Sequence, residues 1–267
     1  MSRLKAVVFD WAGTVVDFGS RAPMGVFVEA FARFGIEVTI AEARGPMGRP
    51  KWDHIRAMFD LPRIAAAWAA RHGSAPTDAD VDRLYEVFVP LNEAVVTDYA
   101  DLVPGAAETV ARLRARGLKI GSTTGYTRSI MDRLRPIAAA QGFAPDNLVC
   151  AGDLAEGRPT PMNLYRTFLD LGVWPAHSVV KVDDTGVGID EGIHAGCWTV
   201  GVLLSGNAAG LAPEELAALT PAEVDAVRAA ARATLAPHGP HYVVDTVADL
   251  LPVIDAIEAR LARGERP

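Results

Sequence analysis

Four stretches of this 267-residue chain bring chemically capable groups to the ends of apolar runs. The first is LKAVVFDWAGT, where the short apolar run from Ala6 to Phe9 stops at Asp10. Such a run reads as a buried strand with a carboxylate at its tip, and in a parallel sheet ligands gather beyond the carboxyl ends of the strands. Taken alone, Asp10 serves equally well as the start of an Asx turn into the Gly13 loop. In the second stretch, a strand from Leu118 to Ser122 runs into Thr123, Thr124 and Gly125. There the Thr124 hydroxyl sits at a turn whose backbone N–H groups open a helix, which suits an anion. The third is the loop GRPTP, in which Arg158 supplies a fixed, forked positive charge. The fourth is Val179 to Val182, running into Asp183 and Asp184. Carboxylates from two strand tips can hold a hard divalent cation such as Mg²⁺, which keeps waters for a substrate phosphate. A strand-end threonine or a loop arginine is by itself more often structural; the joint order of the four along one sheet is what points to a site.

Lys51 is a fifth candidate, in GPMGRPKWDH, where Gly48 and Pro50 restrict the backbone just before a helix begins. A lysine at a helix start is ordinarily solvated. This chain, however, has only four lysines (Lys5, Lys51, Lys119 and Lys181), arginine supplying the rest of its 26 basic residues.

The elements that would position these groups follow from periodicity. After Asp10, Pro23 opens a helix in which Val26, Phe27, Ala30 and Phe31 recur at helical spacing, and no strand intervenes before about Tyr99. Strand and helix then alternate to the end, with Thr127 as a candidate cap, Pro213 to Leu235 as one alanine-rich helix, and a closing strand and helix from His241. The expected fold is α/β: a doubly wound parallel sheet formed by 1–19 and 100–267, with an all-helical cap inserted at 20–99. Half of the residues are hydrophobic, 22% are charged and the net charge is −7 with no basic run. That argues for small-molecule partners, against nucleic acid or an anionic membrane surface. Cys150 and Cys197 read as buried free thiols in a reducing compartment, the cytoplasm by default. No stretch approaches the ~20 apolar residues a membrane span requires.

FDWAGT, STTG, GRPTP and KVDDT resemble, in order, the four signature motifs of the haloacid dehalogenase superfamily, whose phosphotransferases form an aspartyl-phosphate on the first Asp. Over nearly its whole length, through EARGPMGRPKWDH, GSTTGYTR and EGRPTP, the chain resembles more closely the branch that hydrolyses the carbon–phosphorus bond of phosphonoacetaldehyde. Most phosphatases of the superfamily carry a second Asp two residues after the nucleophile, to protonate the departing oxygen; here that position is Ala12. Its loss would cost an alkoxide leaving group about 10²–10⁴-fold. A carbon leaving group instead needs an electron sink, which a lysine imine provides. The resemblance implies Asp10 as nucleophile, Lys51 as the Schiff-base lysine and Mg²⁺ on Asp10, the Ala12 carbonyl and Asp184. Thr124, Gly125 and Arg158 would bind the phosphonyl group, and a homodimer is implied, for which the helix bearing Phe27 and Phe31 offers a face.

Met47 and His54 match positions near the reactive lysine in that branch. His54, three residues after Lys51, could shuttle protons, or could equally be structural. Tyr126 and Trp11 are candidates to line the pocket. The superfamily often has another Asp four residues after its metal-binding Asp, but here that place is Gly188, which leaves Asp183 and Asp190 as candidates to complete the metal shell through water. Two other readings remain: a sugar-phosphate phosphatase or phosphomutase, which has no use for Lys51, and a non-catalytic binding protein.

Overall fold

The structure, a computed structural model, describes residues 3–267, so residues 1 and 2 of the expected first core segment lie outside the described residues. β1 (Ala6–Phe9) is followed by a helical insertion: α1 (Ala22–Arg33), α2 (Ile40–Arg44), α3 (Lys51–Phe59), α4 (Pro62–His72) and α5 (Asp78–Val95). The alternating part continues with α6 (Ala106–Ala115), β2 (Lys119–Thr127), α7 (Arg128–Ala140), β3 (Val149–Ala151), α8 (Met162–Leu171), β4 (Val179–Asp183), α9 (Gly186–His194) and β5 (Trp198–Val202). It closes with α10 (Pro213–Ala217), α11 (Pro221–Leu235), β6 (Tyr242–Val244) and α12 (Leu250–Ala262).

The strands pair in parallel in the order β3-β2-β1-β4-β5-β6. The chain builds outward from β1 through β2 to β3, then returns to β4 on the other side of β1. The crevice at this reversal of direction lies at the tips of β1 and β4, where Asp10, Asp183 and Asp184 sit. Both faces of β1 are covered, Val7 and Phe9 packing into one apolar cluster and Ala6 and Val8 into another, which is why the strand shows no polar alternation.

The insertion has its own core, with Phe27, Phe31, Phe59, Trp68 and Phe88 buried together. Phe27 stacks on Phe88 with ring centroids 4.4 Å apart. Phe27 and Phe31 therefore face inward and offer no face to a second copy, contrary to the expectation from α1 alone; helical spacing identifies an apolar face but not its partner. Two further expectations are corrected. The alanine-rich segment is two helices, broken where Thr220 caps α11 ahead of Pro221. β2 continues past Ser122 to Thr127 because Thr127 pairs with Ala151 of β3, and its hydroxyl meets Ser129 rather than capping α7. Cys150 and Cys197 are buried free thiols, and among the described residues no helix is long and apolar enough to cross a membrane.

Candidate active site

Asp10 leaves β1 with its backbone N–H donated to Val182 of β4 (3.0 Å), which fixes the carboxylate over the sheet end. The loop that follows turns through Gly13 at φ +82°, where a Cβ would stand 2.2 Å from Asp184 Oδ2, so only glycine lets the loop pass the acidic cluster. Arg158 Nη1 lies 2.8 Å from Asp10 Oδ1, and both side chains are almost fully buried. Burial, then repulsion from Asp183, pushes the Asp10 carboxyl up to about 6 against the pull of Arg158 and Lys181.

Carboxylate oxygens of Asp10, Asp183 and Asp184 lie within 4.8 Å of one another, all buried. Their surroundings differ. Burial would raise Asp183, but the charges of Lys181 and Arg158 and a 2.7 Å hydrogen bond from the Thr185 hydroxyl hold it below the usual range. Asp184 accepts hydrogen bonds from the Asn207 backbone N–H (2.7 Å) and the Thr14 hydroxyl (3.3 Å). Burial, followed by repulsion from Asp10 and Asp183, pushes it well above the usual range. A buried, all-oxygen, mutually repelling set fits a hard divalent cation, and Asp184 is the member whose charge needs one.

Asp190, a candidate for the metal shell, is not part of this cluster: α9 turns its carboxylate toward His238 (2.8 Å). The structure also accounts for Gly188. A Cβ there would lie 2.0 Å from the Asp183 carboxylate, so Asp183 fills the space that a residue four positions after Asp184 would otherwise enter.

A small cavity of about 20 Å³ brings together Asp10, Ala12, Ser20, Met47, Gly48, Thr124, Gly125, Tyr126, Arg158 and Thr185. Of the expected site residues, Asp10, Ala12, Met47, Thr124, Gly125, Tyr126 and Arg158 thus meet at one point. That volume holds about one water. The segment between α2 and α3 forms the roof. Gly125 would carry a Cβ 3.1 Å from the Arg49 carbonyl, and Gly48, at φ +90°, one only 2.3 Å from Thr185 Oγ1. Arg44 fastens this roof: its guanidinium donates to the carbonyls of Gly19 (3.0 Å), Asn207 (3.1 Å) and Gly210 (3.1 Å). A larger cavity of about 370 Å³, lined by Arg44, Arg49, Asp184, Asn207 and His238, adjoins it.

Lys51 is the first residue of α3 and is only 4% exposed. Its Nζ lies 3.7 Å from Met47 Sδ, 5.2 Å from the Tyr126 ring centre and 5.6 Å from that of Phe27, so the amine sits against walls of the cavity that holds Asp10. Burial lowers its pKa to about 8; Asp10 opposes that shift and Arg158 adds to it. His54 does not line the cavity. Its ring stacks on Phe27 (4.0 Å) and its Nε2 donates to the Ala43 carbonyl (2.8 Å), leaving Nδ1 buried without a hydrogen-bond partner. Burial, then the charge of Lys51, keeps it neutral. Trp11, a candidate for the pocket wall, instead packs edge-on against Phe143 in the core (5.0 Å).

Several residues here are not singled out by sequence reading: Ser20, Thr185, the Arg44–Asn207 contact, and a buried Lys181–Glu191 pair behind Arg158. Lysine scarcity, which drew notice to Lys51, applies equally to Lys181. The glycine-rich GVGIDEGIH of α9 marks the space the pair occupies.

Residues 4–196 match the haloacid dehalogenase-like hydrolase family. The chain is 58% identical, over all of both chains, to a phosphonoacetaldehyde hydrolase of Paraburkholderia xenovorans. It is 57% identical, again over both full lengths, to that of Paraburkholderia phytofirmans. The solved structure of a phosphonoacetaldehyde hydrolase like protein from Oleispira antarctica superposes with a TM-score of 0.98 at 45% identity, covering 99% of this chain and 96% of that one. With the closed acidic site and the roofing lysine described above, these likenesses make the chain a member of the haloacid dehalogenase-like hydrolases and, within them, of the phosphonoacetaldehyde hydrolases.

Proposed function

We propose that the protein hydrolyses phosphonoacetaldehyde to acetaldehyde and phosphate through two covalent attachments, one to Lys51 and one to Asp10. The observation that carries this reading is an amine with a lowered pKa, buried against Met47 and Tyr126, two residues that line the cavity of Asp10, Thr124 and Arg158. Neutral Lys51 condenses with the aldehyde and releases water. Asp10 then attacks phosphorus in line while Thr124, Gly125 and Arg158 hold the phosphonyl oxygens. The C–P electron pair passes to the protonated imine and gives an enamine on Lys51. Water attacks the aspartyl-phosphate and frees phosphate; protonation at carbon and hydrolysis of the imine free acetaldehyde, so one water is consumed overall. Asp10, the Ala12 carbonyl and Asp184 would hold Mg²⁺, with Asp183 completing their surroundings. When bound, the ion neutralises charge on the phosphonyl oxygens and the carboxylates.

Ala12 weighs against a sugar-phosphate phosphatase or mutase, which would need an acid for its oxygen leaving group. Two buried thiols suit a reducing cytoplasm. A homodimer is implied by the resemblance. The deciding experiment is borohydride reduction in the presence of phosphonoacetaldehyde. Peptide mapping should find the adduct on Lys51, with no adduct and no phosphate release in Lys51→Arg; a fully active Lys51→Arg enzyme would end the imine reading.

A further inference from the structure

Behind the Asp10–Arg158 pair lies a layer of buried charge, of which Lys181 and Glu191 take no part in the chemistry above. Lys181, Asp183 and Glu191 are all 0% exposed. Lys181 Nζ donates to Thr123 Oγ1 (2.8 Å) and lies 3.0 Å from Asp183 Oδ2 and 3.3 Å from Glu191 Oε2. Glu191 Oε2 also receives the Thr123 hydroxyl (2.9 Å) and Arg158 Nε (3.1 Å). Arg158 Nη2 meets the Thr123 carbonyl (2.7 Å) and hydroxyl (2.8 Å). The guanidinium is thus held along its Nε and Nη2 edges, and Nη1 faces Asp10.

The layer is poorly explained as a stabiliser. Well-packed apolar side chains in place of a buried ion pair are often neutral or favourable. Space for it is made by glycine inside α9: a Cβ at Gly192 would stand 2.9 Å from Lys181 Cβ and 2.6 Å from Thr199 Cγ2. Glycine in a helix interior is less favourable than alanine. What the arrangement does achieve is one orientation for Arg158.

We infer that Glu191, with Lys181 and Thr123, is a positioning residue that clamps Arg158 by its Nε edge and so keeps Nη1 on Asp10 and the phosphonyl oxygens beside it. This rests on the reading that Asp10 and Arg158 handle the phosphonyl group. All three donors to Glu191 converge on Oε2, whereas Oε1 has no partner. In Glu191→Gln the amide oxygen can take the Oε2 place and the NH₂ the empty side, so the substitution removes charge with little change of shape.

The test combines steady-state kinetics on phosphonoacetaldehyde with ¹⁵N-resolved observation of the Arg158 Nε–H. Expected in Glu191→Gln is a loss of about 10–100-fold in kcat/KM, carried mainly by kcat, as is usual when a supporting partner of a reacting group is altered. The Nε–H resonance should shift and exchange faster with solvent. Wild-type kcat/KM, or lost activity with an unmoved Nε–H signal, overturns the inference. Should Glu191→Gln fail to fold, Thr123→Ser must keep both activity and signal and Thr123→Val must lose both; wild-type behaviour in Thr123→Val overturns it. A wild-type enzyme that releases no phosphate from phosphonoacetaldehyde would instead overturn the function, because the Nε–H signal is read without substrate.

Discussion

The amine of Lys51 must be neutral to attack an aldehyde, so pH is the sharpest perturbation. With its pKa lowered to about 8, roughly one-tenth of Lys51 is neutral at pH 7; at the ordinary 10.5 the share would be roughly 0.03%. The burial around Lys51 is therefore worth roughly 300-fold in reactive amine at pH 7. Raising the pH from 7 to 9 takes the neutral share from roughly 9% to roughly 91%, so kcat/KM should climb about tenfold and level off. Because the charged form is the disfavoured one, activity is lost as pH falls through 8, never as it rises through it. The assay is phosphate release across pH 6 to 10 at saturating Mg²⁺, read beside the initial rate of borohydride-trapped adduct at limiting aldehyde. A flat profile for both between pH 6 and 9, or a rise centred near pH 10.5, refutes the argument that the folded enclosure of Lys51 makes it reactive.

Asp184→Asn should raise the thermal midpoint of the metal-free protein, since it removes a buried charge repelled by Asp10 and Asp183. It should also abolish the stabilisation by Mg²⁺, about 2.7 kcal/mol at one hundred times the dissociation constant, which Asp190→Asn should retain; calorimetry with and without chelator reads both. Gly48→Ala should lower kcat/KM at least about tenfold while leaving the helical insertion folded by circular dichroism. A left-handed backbone costs a side chain about 1–2 kcal/mol, and the new methyl would also strike Thr185. Arg44→Ala should raise KM and move the rising pH limb of kcat/KM upward, because a loosened roof resolvates Lys51; an unmoved limb would show that the clasp plays no part in enclosure.

Sequence determined the strands and the order of the groups at their ends. An apolar β-branched run ending in Asp10, and another ending in Asp183 and Asp184, are local patterns, and the parallel sheet follows from their alternation with helices. It determined also that Ala12 cannot protonate a leaving oxygen, since that depends only on residue type. Which carboxylate has its charge offset by buried cationic side chains was decided in three dimensions: Asp183 and Asp184 are neighbours in the chain, but only Asp183 meets Lys181 and Arg158. Asp190 is drawn off by His238 from a distant helix end, and Phe27 and Phe31 are claimed by the insertion's own core. The pKa of Lys51 belongs to the same class. Desolvation depends on everything that surrounds an amine, here α1, the β2 end and the roof between α2 and α3, and no spacing along the chain encodes which remote segments will close over it.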